Sequence, residues 1–345
     1  MYDGKCLDQL QDFVDGNVKI LASQEELAWT SVGETLMEYI EWYGAELEHP
    51  TEGANNADAT ERSTIEESAA ASVTNGDMVW HVDDFAATPL LTPQVTFHQT
   101  GPLANHTAVL FPTTAVEGPL PIVMDPYGGP HAQRVVKSRN AFLVSQWLAD
   151  QGFCVVVTDG PGTPGRGGGW ERMIRGDLAE PTLQAQVDAL FAIGEIYPEQ
   201  VDLSRVGIRG WSFGGYLAAL AVLRRPDVFH AGVAGAPVTD WRLYDTHYTE
   251  RYLGHPDEEP ENYERTLLTI VDDDQKRPLM LIHGLADDNV VAAHTLQLSS
   301  ALLAAGHPHE VLPLSDTTHM TPQEEIAENL LLLQVDFLNR HLRGD

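Results

Sequence analysis

The chain has 345 residues, 43% of them hydrophobic, with 29 Gly and 21 Pro. This suits one large or two ordinary globular domains and excludes a disordered or fibrous chain. A formal net charge of −31 makes nucleic acid and anionic membrane surfaces poor partners.

The N-terminus, "MYDGKCLDQLQDF", lacks both a basic n-region and an apolar h-region, and no apolar run is long enough to span a bilayer. The two cysteines, Cys6 and Cys154, make neither a disulfide framework nor a metal pattern. The expectation is a cytoplasmic protein that binds no metal.

Residues 1–44 carry ambiguous patterns. "DGNVKILAS" reads as a turn and strand, "ELAWTSV" as its partner, and "ETLMEYIEWYGAEL" equally well as an amphipathic helix. Residues 45–77 are acidic, small and polar, and read as a linker or mobile insertion. The expected division is an N-terminal segment, 1–84, and a domain over 85–345.

From about residue 85 the pattern becomes regular. Strands are predicted at 94–98, 107–111, 120–125, 153–159, 205–209, 231–237, 279–284 and 310–315. Helices are predicted at 138–151, 181–197, 214–225 and 293–306, with a last helix capped by Thr321, Pro322 and Glu324. Apolar strands alternating with helices imply a mostly parallel sheet covered on both faces, after an antiparallel opening pair. The class is α/β.

"VVVTDGPGTPGRGGGWER" (155–172) contains a G-x-G-x-x-G after a strand, the spacing of a pyrophosphate cradle. Pro161 and Pro164 delete two of the N–H donors such a cradle uses, and Gly167, Gly168 and Gly169 are poor residues to open a helix. The reading is therefore a flexible crossover loop at the carboxyl end of a strand, with no nucleotide and no other cofactor.

"RVGIRGWSFGGYLAAL" is more specific. A strand meets a helix across Gly210-Trp211-Ser212-Phe213-Gly214, a G-x-S-x-G turn so tight that glycines are needed two places before and after the serine. Ser212 is then a nucleophile projecting from the end of the sheet. A serine nucleophile needs a base and an orienting acid, which follow here in the order Ser, Asp, His. Asp287 or Asp288 follows the strand "LMLIHG", and His319 follows the last strand. His283 reads as structural. The backbone N–H of Phe213 is one oxyanion donor, and the Tyr127 hydroxyl in "MDPYGGPHAQ" is a candidate for the second.

The motifs "DPYGGPHAQ", "RGWSFGGY", "APVTDWRLYDTHYTERYLG", "IHGLADDNV" and "THM", in this order, resemble the catalytic domain of the prolyl oligopeptidase family of serine peptidases, dipeptidyl peptidase IV branch. The resemblance implies an α/β-hydrolase fold, with Ser212 as nucleophile, His319 as base and Asp287 rather than Asp288 as its acid. Tyr127 and the Phe213 amide would form the oxyanion hole. It also implies a pocket for the residue before the scissile bond from Val238, Trp241, Tyr244 and Tyr248, closed by Phe213 and Val290, with Asn289 on a substrate carbonyl. An aromatic, uncharged pocket suits a proline ring.

Two features depart from the family pattern. Pro161 stands where an arginine is usual, and the family's large β-propeller has no room in residues 1–84, since one blade takes about 40–50 residues. The "VKILAS…LAWTSV" piece is expected to be the tail of such a propeller. The expected activity is hydrolysis after Pro or Ala near a peptide N-terminus through an acyl-enzyme, with homodimerisation through the hydrolase domain. The alternatives are a less selective oligopeptidase, tripeptidyl peptidase or esterase, and a truncated remnant without catalysis.

Overall fold

The computed structural model describes residues 71–75, 78–82, 91–138, 140–269, 275–321 and 323–343. The strand and helix readings within 1–44 and the residue Cys6 lie outside these. Ala71–Asn75 (β1) and Met78–Val82 (β2) form an antiparallel hairpin with Asn75 opposite Met78. β1 lies inside the stretch 45–77 expected to be linker, which corrects that reading. Val73 and Thr74 followed by Gly76-Asp77, a pair that marks two-residue hairpin connections, carried the signal.

The region from Leu91 onward is a separate compact unit. Its strands are Val95–Thr100 (β3), Asn105–Leu110 (β4), Leu120–Met124 (β5), Cys154–Asp159 (β6), Val201–Trp211 (β7), Ala231–Gly235 (β8), Leu279–Gly284 (β9) and His309–Leu314 (β10). They form one eight-stranded sheet in the order β10-β9-β8-β7-β5-β6-β4-β3. β4 pairs antiparallel with β3 and β6, and every other pairing is parallel. β5, β6, β8 and β9 are buried at every residue, as continuous apolar runs require when helices cover both faces.

The helices are Leu143–Asp150 (α1), Gly168–Glu171 (α2), Glu180–Ile196 (α3), Phe213–Arg224 (α4), Thr246–Leu253 (α5), Pro260–Thr266 (α6), Ala293–Ala304 (α7) and Glu324–Leu342 (α8). Alternate strand residues feed two cores. Ile122, Val156 and Ile208 join Leu183, Val187 and Leu217 of α3 and α4. Val123, Val155 and Val233 join Leu148 of α1 and Leu330 and Leu338 of α8. No helix among the described residues is long and apolar enough to cross a membrane.

Two expectations are corrected here. Gly168–Glu171 does open a helix, because Trp170 is buried, donates Nε1–H to the Gly160 carbonyl at 3.0 Å, and lies under the Arg166 guanidinium at 3.7 Å. Tertiary anchoring overrides propensity. The last helix begins at Glu324 with Gln323 as an extended N-cap and no side-chain cap bond, so Thr321 does not cap it.

The chain passes from β5 to β6 on one side and later to β7 on the other, so the carboxyl ends of β5 and β7 flank a topological switch point, where open α/β sheets bind ligands. A buried ion cluster fixes that place. Asp125, just after β5, takes Arg209 of β7 at 3.0 Å and Arg134 at 3.1 Å, with Ser145 Oγ donating at 3.0 Å. Burial pushes the Asp125 carboxyl up, but the two guanidiniums outweigh it and hold it below the usual range. Asp125→Ala would strand two largely buried cations and is expected to cost about 3–5 kcal/mol in denaturant unfolding. Arg340→Ala, which breaks ion pairs to Glu310 and Asp336 on the surface, should cost less than about 1 kcal/mol.

Candidate active site

Strand β7 ends at Trp211 and α4 begins at Phe213, leaving Ser212 at φ 57°, ψ −117°. That left-handed conformation is strained for a non-glycine residue and is held by its surroundings. A Cβ on Gly210 would strike the Gly214 backbone, and one on Gly214 would stand 2.6 Å from the Pro126 carbonyl oxygen. The glycine spacing read from the sequence therefore has the predicted steric cause. Ser212 is almost fully buried at the carboxyl edge of the sheet.

Asp287 lies three residues beyond β9, and His319 five beyond β10. His319 Nδ1 is 2.7 Å from Asp287 Oδ2. A carboxylate only accepts, so Nδ1 carries the proton and Nε2 is left as the basic nitrogen. Asp287 Oδ1 accepts the N–H groups of Asn289 and Val290 at 3.0 and 2.8 Å. Burial alone would raise the Asp287 carboxyl. Hydrogen bonds from His283 and His319 outweigh it and hold the group well below the usual carboxylate range. Asp288, the other candidate acid, is exposed.

Tyr127, on the loop after β5, is 6% exposed, with its ring centroid 5.9 Å from that of Phe213. The predicted pocket residues also come together. Trp241 stacks on Tyr248 at 5.8 Å and 8°, meets Tyr244 edge-on at 5.8 Å, and lies 5.7 Å from Phe213. Val238 and Val290 are buried beside them in the same apolar cluster. The Tyr244 hydroxyl donates to Asn289 Oδ1 at 3.1 Å, which turns the amide nitrogen of Asn289 away from that contact.

Sequence reasoning missed several neighbours. Tyr216 packs edge-on against both Phe213 and Trp241, and its position one turn after Phe213 was the available signal. His131 stacks on Tyr248 and contacts the Tyr252 hydroxyl at 2.8 Å through Nε2. His283 has the structural place expected of it, with Nε2 2.6 Å from the Val290 carbonyl and Nδ1 2.7 Å from Thr295 Oγ1.

Residues 140–345 match the model of the prolyl oligopeptidase family. The chain belongs to that family. It is 38% identical to dipeptidyl peptidase 8 of Homo sapiens and of Mus musculus over 230 residues, 64% of this chain and 25% of each relative. It is 37% identical to a probable dipeptidyl-aminopeptidase B of Sclerotinia sclerotiorum over 205 residues, 58% of this chain and 22% of that protein. The match thus spans about a quarter of the length of these relatives. Among solved structures, a putative dipeptidyl aminopeptidase IV from Bacteroides ovatus superposes with a TM-score of 0.70 at 27% identity, over 76% of this chain and 40% of that one. Porphyromonas gingivalis dipeptidyl peptidase 4 gives 0.65 at 31% identity, over 72% and 35%. The fold is accordingly the α/β-hydrolase fold of this family.

His294, at the start of α7, accepts the Thr239 N–H on Nδ1 at 3.1 Å, and its carbonyl accepts from Thr239 Oγ1 at 2.9 Å. This fastens the loop that carries Val238 and Trp241. Burial, aided by the nearby His283, lowers the imidazole from 6.5 to about 4. Between those values the unfolded chain binds the proton and the folded chain does not, so stability is lost as the pH falls through the window. The loss attributable to this group reaches on the order of 3 kcal/mol. Asp159, whose carboxyl is raised to about 6, acts in the opposite sense over the same range, so the effect is read as a difference. In urea unfolding, the stability of wild type relative to His294→Gln should fall by on the order of 3 kcal/mol between pH 7 and pH 4.5.

Proposed function

We propose that this chain is a serine peptidase domain that releases dipeptides from peptide N-termini by cleaving after Pro or Ala. The observation that carries the reading is the buried His319–Asp287 hydrogen bond of 2.7 Å on the same sheet edge as a serine in a strained G-x-S-x-G elbow. Dipeptidyl peptidase names recur among the relatives, which supports this substrate class.

Ser212 Oγ attacks the scissile carbonyl while His319 Nε2 takes its proton, and Asp287 stabilises the imidazolium that forms. The Phe213 N–H and the Tyr127 hydroxyl receive the developing oxyanion. The tetrahedral intermediate collapses when the imidazolium protonates the leaving amine, which gives an acyl-enzyme. Water, deprotonated by His319, then frees the serine. The Trp241, Tyr244, Tyr248, Val238 and Val290 walls accept a compact apolar ring, and the Asn289 amide nitrogen donates to a substrate carbonyl. None of these wall residues carries a charge to pair with a long basic or acidic side chain.

Cytoplasmic residence and a homodimer complete the proposal. Leu296 and Leu303 of α7, seven residues apart on one helix face, are 61% and 75% exposed, a surface that a second copy would cover. Leu303→Glu should then shift the protein to monomer in analytical ultracentrifugation.

The decisive assay uses X-Pro-p-nitroanilides. Ser212→Ala should lose about 10⁴-fold or more in kcat, and Tyr127→Phe about 10²–10³-fold. Equal rates for wild type and Ser212→Ala would remove Ser212 from the mechanism. An N-acetylated substrate cut as fast as the free one would move the reading to an oligopeptidase or esterase. Folded protein that a fluorophosphonate does not label at Ser212 would be the non-enzymatic remnant.

A further inference from the structure

The base and the nucleophile of this site come from strands far apart. β10 lies three places from β7 in the sheet, roughly 14 Å at ordinary strand spacing. The segment after β10 must therefore cross the ends of β9 and β8 before His319 reaches Ser212. Two contacts bring it over β9. The Ala286 N–H donates to the Thr317 carbonyl at 3.0 Å. Gly284 lets the Thr317 and Thr318 carbonyls approach so closely that a Cβ there would collide with both. The Asp287 carboxylate then takes Nδ1 of the ring. These contacts tie His319 to β9, the strand of the acid. None of them ties it to β7, the strand of the serine.

Trp211 supplies that connection. It is the last residue of β7, immediately before Ser212, and is paired in register with Gly235 of β8. Its ring packs against Gly235, so close that a Cβ on Gly235 would overlap ring atoms. From there indole Nε1–H donates to the backbone carbonyl of His319 at 2.7 Å. A single side chain thus spans β8 and joins the residue before the nucleophile to the main chain of the base.

We propose that Trp211 is a positioning residue of the reaction, fixing the main chain of His319 relative to Ser212 through its indole N–H. The inference rests on the assignment of Ser212 and His319 made above. It differs from that assignment in what it predicts. Asp287 sets the rotation and tautomer of the imidazole, whereas Trp211 sets where its main chain stands. Losing the hydrogen bond leaves the aromatic pocket untouched and displaces the base, so the effect falls on kcat and is the same for every acyl substrate.

The test compares two replacements at position 211. Trp211→Phe removes the N–H and part of the ring. Site-specific incorporation of β-(3-benzothienyl)alanine keeps the bicyclic shape over Gly235 and replaces the N–H by sulfur. Both variants are expected to lose about 10–100-fold in kcat, the scale of an ångström-level misplacement of a reacting group. KM for the X-Pro substrate should stay within about twofold, because uniform binding is not touched. The same fold loss should appear with p-nitrophenyl acetate, which does not occupy the aromatic pocket, and in the rate of fluorophosphonate labelling of Ser212. Thermal unfolding of the benzothienyl variant should match wild type.

A benzothienyl variant as active as wild type would overturn the proposal, whatever Trp211→Phe does, because packing on Gly235 would then suffice. A loss confined to KM, or to the X-Pro substrate alone, would also overturn it and make Trp211 a pocket residue. Failure of the underlying assignment reads differently: Ser212→Ala would then retain wild-type activity in the Trp211 background.

Discussion

A carboxylate removed from water has to be met by donors, and the cleft is arranged around how Asp287 is met. Its Oδ1 takes two successive backbone N–H groups, from Asn289 and Val290, and this bends the chain into a tight turn. That turn aims the Asn289 amide and places Val290 against the aromatic cluster. Its Oδ2 takes His319 Nδ1, so the same charge sets both a wall of the proposed pocket and the tautomer of the proposed base. His283, 3.5 Å from Oδ2, closes the turn from behind through the Val290 carbonyl and Thr295. In the proposed reaction, substrate recognition and proton transfer would be coupled through this one side chain.

Much of this was legible in the sequence because the constraints were local. The elbow needs glycines at two fixed offsets from Ser212, and the backbone collisions around Gly210 and Gly214 account for that spacing. The eight strands of the sheet announced themselves as apolar runs between helical periods, and the structure places each within a few residues of its expected range. Asp287 could be separated from Asp288 only by the family resemblance. The geometry makes the same choice for a visible reason, since the turn buries one and exposes the other.

What the sequence concealed was tertiary. Trp170 turns a run of three glycines into a helical turn by burying its ring and bonding the Gly160 carbonyl, a long-range anchor that propensity does not register. The hairpin of β1 and β2 was obscured by the acidic, small residues preceding it, although the sequence pair Gly76-Asp77 is a known hairpin signal. Tyr216 and Tyr252 follow Phe213 and Tyr248 by one helical turn and were recoverable from spacing. The bond from Trp211 to the His319 carbonyl joins residues 108 apart in the chain, and no local rule encodes it.

Three buried carboxylates near the sheet edge show why their partners differ in kind. Asp159 is met mainly by two backbone N–H groups, from Arg134 and Val135. Burial wins there and pushes it up to about 6. Asp125 is met by two guanidiniums, which lower it and spend its charge on fixed cations. That is suited to tying β5 to β7 and unsuited to catalysis, because a carboxylate already neutralised has little attraction left for a new positive charge. Asp287 is lowered by imidazole and backbone N–H groups, with no arginine or lysine among the described residues bonded to it. Its charge stays uncompensated until His319 becomes an imidazolium, which is when the proposed reaction needs it. An Arg placed on Asp287 would likewise hold the acid below its usual range, but by neutralising that charge beforehand it would weaken the base.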